Sequence, residues 1–125
     1  METVIWIVQG LLAAVFAMAG VTKLAQPKAK LLASNSMAWV EDFDERQIKG
    51  IGTLEVLAAV GLILPAALGI LPVLTALAAS GVVLLMVGAG ATHLRRDELQ
   101  VLPVNLLLAG LALFVAIERF GPHSL

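Results

Sequence analysis

The sequence predicts an all-α, polytopic membrane protein: one domain folded as a four-helix bundle, with both termini on the same side of the bilayer. Three observations carry this. Hydrophobic residues make up 60% of the 125 and charged residues 14%, where a soluble domain has about 25% charged, and the mean hydropathy is +0.98. The chain divides into four apolar runs, each close to the ~20 residues needed to cross hydrocarbon. The segments between them hold most of the charge.

The first helix is expected over about 4–23. Its apolar run from Val4 to Val21 is interrupted only by Gln9 and ends at Thr22-Lys23. Glu2 in place of a basic n-region, and the length of the run, favour a retained helix over a cleaved signal peptide. Residues 27–45 begin at Pro27 and mix Leu31, Leu32, Met37, Trp39 and Val40 with Ser34, Asn35 and Ser36 before the acidic group Glu41, Asp42, Asp44 and Glu45. That mixture reads as an interfacial helix or a re-entrant segment, with a tryptophan suited to the headgroup region.

From Ile51 to Ala91 the 41 positions contain one charged residue, Glu55. A single helix of that length would span about 60 Å, twice the hydrocarbon thickness, so the run must fold back. Pro65, Gly69 and Pro72 mark the break, which gives helices over about 46–67 and 71–92. The fourth is expected over 101–118. Pro103 lies in its first turn, where a missing N–H costs little, and Glu118 and Arg119 close it at the interface.

Basic residues sort by side. Segment 22–50 carries Lys23, Lys28, Lys30, Arg46 and Lys49, and segment 92–100 carries Arg95 and Arg96; the other face has Arg119. Seven against one places both segments in the cytoplasm and both termini outside, in a cell (inner) membrane.

Several function classes are excluded. A formal net charge of −1 offers no basic field for nucleic acid. Without cysteine the chain has no thiolate for a metal, a disulfide or dithiol chemistry. His93 and His123 are 30 positions apart without a carboxylate cluster, so no metal site is expected. No phosphate-binding glycine loop or nucleophile elbow is present, and the G-A-G at 88–90 sits in an apolar run where small residues let helices approach.

The informative residues are polar ones in apolar surroundings. Lys23 ends the first helix, Glu55 lies near the start of the second, His93 ends the third and Asn105 opens the fourth. All four therefore fall in one layer, near the leaflet next to the basic loops. Helical phase supports convergence. Gln9, Ala13, Phe16, Gly20 and Lys23 share a face, as do Gly52, Glu55, Ala59 and Leu62. Thr75, Ala79, Val82, Met86, Ala89 and His93 form a third stripe; Asn105, Ala109, Ala112 and Ala116 form a fourth. Small-residue faces are where helices meet in lipid.

Plainer roles stay open for each. Lys23 can snorkel to headgroups without touching Glu55; Glu55 can act only structurally; His93 can be interfacial; Asn105 and Gln9 can be amide glue between helices. Thr75 and Ser80 can bond their own preceding turn. Trp6, Trp39, Phe114 and Phe120 read as interface and lipid anchors, and His123 lies in a tail.

The segments FAMAGVTKLAQP (16–27), GIGTLEVLAAVGLILP (50–65) and GATHLRRDE (90–98), followed by a fourth apolar span, resemble the DoxX and DoxX-like small membrane proteins. The resemblance covers nearly the whole chain, and Lys23, Glu55 and His93 fall on its motifs. It implies a four-helix membrane bundle related to a membrane subunit of a thiosulfate–quinone oxidoreductase. The resulting expectation is an accessory or ligand-binding subunit of a membrane-associated redox system. In it, Lys23, Glu55, His93 and Asn105 would receive the head of an amphiphile, a quinone or a lipid, with Gln9 and Thr75 in secondary places. The expected partners are membrane lipids, a membrane or peripheral redox protein and further copies of the chain. Lacking cysteine and redox-centre ligands, the chain is not expected to catalyse alone. The alternatives are a small proton-coupled transporter using Glu55, and a structural scaffold without ligand.

Overall fold

A computed structural model describes residues 1–33, 39, 41, 43–69 and 73–121. The described residues are helical and contain no strand. The elements are α1 (Glu2–Ala25), α2 (Lys28–Leu32), α3 (Glu45–Leu68), α4 (Val73–Arg95) and α5 (Leu102–Phe120), the last entered through a 3-10 turn at Leu99–Val101. Helices α1, α3 and α4, and α5 with its entry turn, are long and apolar enough to cross a membrane. The expected four-helix bundle is present; α1 and α3 extend one or two residues beyond their expected bounds at both ends, while α4 and α5 extend beyond theirs at the C-terminal end.

Local chemistry fixes the ends. The Asp44 carboxylate accepts from Gln47 N–H at 2.7 Å and the Gln47 side-chain oxygen accepts from Asp44 N–H at 3.0 Å, a reciprocal capping box that starts α3. Pro65 does not stop that helix; it lies inside it. The stop is Gly69, whose φ of 69° is left-handed and suits a residue without Cβ. Pro72, the other expected breaker, lies outside the described residues, as do residues 34–38, 40 and 42 of the expected interfacial segment and His123. Of that segment, Lys28–Leu32 forms the short helix α2. The C-terminal carbonyls of α1 find a donor in Lys49, whose ammonium reaches Lys23 O at 2.6 Å, Leu24 O at 3.1 Å and Gln26 O at 2.7 Å. A cation there also suits the negative end of the helix dipole.

Neighbours in the bundle follow chain order: α1 packs on α3, α3 on α4, α4 on α5, and α5 closes weakly on α1. The interior is small or polar. Ala59, Ala79, Ala112 and Ala116 are buried around Leu12, Phe16, Leu62 and Val115, while Leu54, Leu57, Leu77, Leu84, Leu106 and Leu107 face outward. An outward apolar belt around a small-residue interior is what lipid requires, because tails solvate leucine as well as protein does.

The closest approach is between α1 and α3. A Cβ on Gly20 would lie 2.6 Å from Val56 Cγ2 and 2.7 Å from Gly52 O, and one on Gly52 would lie 3.0 Å from Gly20 O. Position 20 therefore needs glycine, and a side chain at Gly52 would require its neighbours to give by a few tenths of an ångström. This crossing sets the geometry of the polar site, since Lys23 and Glu55 each stand three residues beyond a crossing glycine.

Candidate functional site

Lys23 and Glu55 meet because their helices are antiparallel. In an α-helix each Cα–Cβ bond leans toward the helix N-terminus, so Lys23 leans from α1 into the bundle and Glu55 leans from α3 toward the basic-loop end. The two side chains approach head-on, and Lys23 Nζ lies 2.8 Å from Glu55 Oε1. Exposure falls to 4% for Lys23 and 6% for Glu55. The open alternative, a snorkelling lysine, is not what the geometry selects. The Trp39 ring covers the ammonium at 5.5 Å, a cation–π distance, and Phe43 meets Trp39 edge-on at 5.5 Å. Leu31 and Ile48 are buried beneath these two aromatics.

Beside the ion pair lies a groove of about 1230 Å³ between α3 and α4, with the start of α5 along its wall. It exceeds the roughly 300–1,000 Å³ of ordinary small-molecule sites. All four residues of the expected polar layer line it: Lys23, Glu55, His93 and Asn105. From His93 the groove follows α4 to Leu74, about 28 Å at 1.5 Å per residue. Its long wall is apolar, and Leu54, Leu57, Leu77 and Leu84 at its rim face the lipid belt. Toward Leu74 the helices touch, for a Cβ on Gly61 would sit 2.8 Å from Ala78 Cβ. Gly81 and Gly88 line the groove with nothing within 4 Å of an added Cβ.

The four residues share a cavity without forming a single hydrogen-bonded cluster. His93 Nδ1 pairs with Glu98 Oε1 at 2.8 Å, and Arg96 Nε reaches Glu98 Oε2 at 3.1 Å. The hydrogen bond with His93, joined by that from Arg96, holds the Glu98 carboxyl below its ordinary value of 4.5, although desolvation opposes this. Arg96 also binds Glu41 at 3.2 Å, which ties the segment bearing Trp39 to the end of α4. Asn105 donates to Met86 O at 3.1 Å, and its Oδ1 would lie 2.9 Å from a Cβ on Gly90. It joins α4 to α5 as amide glue and shows its remaining edge to the groove. Among the described residues, no hydrogen bond joins His93 or Asn105 to the Lys23–Glu55 pair.

The two secondary residues lie elsewhere. Gln9 is fully buried near the termini and donates to Leu62 O at 2.7 Å, close to the turn where Pro65 lacks an N–H. Thr75 is buried, and its hydroxyl has no hydrogen-bond partner among the described residues; neither residue lines the groove. Arg119, expected at the interface, is instead buried to 3% exposure. Its Nε donates to Gln9 Oε1 at 2.7 Å, its Nη1 pairs with Glu2, and its guanidinium lies 5.5 Å from the Trp6 ring centroid. The signal was in the spacing: the stripe Asn105, Ala109, Ala112, Ala116 reaches Arg119 in one more step of three.

Compared with known proteins, residues 7–115 match the family model described as the DoxX-like family. No curated protein and no solved structure matches the chain.

Proposed function

The chain belongs to the DoxX-like family, and from that premise we propose that it is a multi-pass membrane protein that holds an amphiphile. The head, of a quinone or a lipid, rests against Lys23, Glu55, His93 and Asn105, and the tail lies along the groove between α3 and α4. The observation that carries this reading is the groove itself: apolar over most of its length, open toward lipid, and polar at one end. A ligand of matching polarity can enter sideways from the bilayer, and its tail is solvated at every step.

Each polar residue has a role in this reading. The Lys23 ammonium has three donors, of which the Glu55 carboxylate can occupy one, leaving others for an acceptor on the head. Glu55 fixes the ammonium in place. Bonding of His93 Nδ1 to Glu98 orients the ring, so that Nε2 remains for the ligand. Asn105, already bonded to Met86 O, forms a fixed wall. For a quinone, whose head offers only acceptors, the Lys23 ammonium is the matching donor, and the quinone would supply the redox chemistry while the chain binds and orients it. The protein then serves as an accessory or ligand-binding subunit of a membrane-associated redox system, its basic loops on the cytoplasmic face. Proton-coupled export of cations is less well supported, because Lys23 already neutralises the membrane carboxylate.

Native mass spectrometry of detergent-purified protein, with organic extraction of the same sample, tests the reading. One amphiphile class retained by wild type and depleted in Glu55→Gln is expected; recovery of no specific amphiphile from either overturns it. Reporters at both termini test the orientation, and a cytoplasmic terminus contradicts it.

A further inference from the structure

We propose that the occupant of the groove carries an acidic head, a carboxylate or a phosphate, so that the site takes an acidic lipid in preference to a neutral amphiphile. The inference rests on the reading of the groove as an amphiphile site and narrows it.

The balance of charge on the groove wall supports it. Two full cations, Lys23 and Arg95, line the groove against one carboxylate, Glu55. Of the other acids nearby, Asp97 does not line the groove, and the rest are engaged: Glu98 by His93 and Arg96, Glu41 by Arg96, and Glu45 by Lys49 at 3.6 Å and by the Lys28 backbone N–H at 2.9 Å. Arg95, on the rim at the end of α4, has no ionic or hydrogen-bonding partner among the described residues. A neutral occupant would leave this surplus uncompensated at the edge of low-dielectric surroundings, where charge interactions are strongest.

Lys23 supplies the second observation. It is more than nine-tenths buried and borders the groove, and its ammonium has Glu55 as its single polar side-chain partner among the described residues. The ammonium, paired with Glu55 at 2.8 Å, borders the Trp39 ring and the groove, and π density satisfies a donor less well than an anionic oxygen does. An acidic head set between Lys23 and Arg95 would accept from both, with charge-assisted bonds about twice as strong as neutral ones. The rim amide of Gln100 offers a further donor. The pair Lys23–Glu55 stays intact; the head adds to it.

Trp39 is a built-in reporter, and the chain has one other tryptophan, Trp6, at the far end. In the Trp6→Phe protein in nanodiscs of neutral lipid at pH 8, Trp39 fluorescence would be titrated with three probes. These are a fatty acid brominated near its carboxyl group, its methyl ester, and the corresponding alkyl phosphate. At least one anionic probe should half-quench at a concentration about tenfold below that of the ester, and the better of the two names the head. Arg95→Gln should remove most of that preference without weakening the ester. Gly88→Leu, which adds a side chain to open space in the groove, should weaken every probe alike. Equal quenching by anionic and ester probes, reduced by Gly88→Leu, overturns the acidic head and leaves the amphiphile reading standing. Quenching by all probes that Gly88→Leu does not change, or no quenching beyond that of free tryptophan in the same nanodiscs, overturns both.

Discussion

The bundle has a polar layer at each end, and the two are built from similar parts. Near the termini, Arg119, Glu2, Gln9 and Trp6 supply a cation, a carboxylate, an amide and an indole; near the basic loops, Lys23, Glu55, Asn105 and Trp39 do the same. The difference lies in what surrounds them. Gln9 accepts from Arg119 on α5 and donates to Leu62 O on α3, so the termini-end layer stitches α1, α3 and α5 and is consumed by its own bonds. The loop-end layer ties α1 to α3 through one ion pair and then faces a groove. Similar polar chemistry in a membrane is structural where helices close over it and suited to binding where they part.

That contrast can be broken by mutation, and the largest effect is expected at the ion pair. Removing one partner of a buried pair leaves an uncompensated charge and costs about 3–5 kcal/mol, so Lys23→Met or Glu55→Leu alone should sharply lower the thermal unfolding temperature in detergent. The double variant should recover most of that stability, because apolar replacements of a buried pair are often neutral, yet retain no amphiphile. Recovery of stability with full ligand retention would show that the pair does not hold the head.

At the other end, Arg119→Met should cost about 1–3 kcal/mol by leaving the buried Gln9 acceptor unpaired, with retained amphiphile unchanged. Loss of ligand there would erase the distinction between the layers. A change of about 1–3 kcal/mol is also expected for Gly20→Ala, which overpacks the α1–α3 crossing; because that crossing aims Lys23 at Glu55, ligand retention should fall too.

The smallest effect concerns the turn that orients His93. Glu98 titrates below its ordinary value of 4.5 in the folded protein. A lowered folded value means a contribution that is complete above the unfolded value and lost as the pH falls through the folded one. Glu98→Gln should therefore unfold at a lower temperature than wild type at pH 7, and the difference should vanish on acidification below 4.5. A difference independent of pH contradicts the pairing.

Much of this was legible in the sequence, for stated reasons. Span length and hydropathy fix the number of crossings, because lipid leaves a chain few alternatives to helices. Phase and depth brought Lys23 to Glu55, since both lie on small-residue faces at one level. The partner of His93 was not legible: Asp97, with φ of 57°, folds the turn so that Glu98 N–H returns to His93 O at 2.9 Å, placing the two side chains together. Nor was the groove. Periodicity tells which faces look inward but not how far apart two helices stand, and α3 and α4 meet near Gly61 while leaving space around Gly88. Arg119 was missed because a charged residue at a helix end was read as interfacial, although its stripe continued the buried face.

The most direct test of the central claim is native mass spectrometry of wild type beside Gly88→Leu, with unfolding temperatures measured on the same preparations. Nothing lies within 4 Å of a Cβ at this position, so stability should stay within about 0.5 kcal/mol while the added mass of a bound amphiphile disappears. The same amphiphile retained in both proteins, at equal stability, would contradict a ligand seated between α3 and α4.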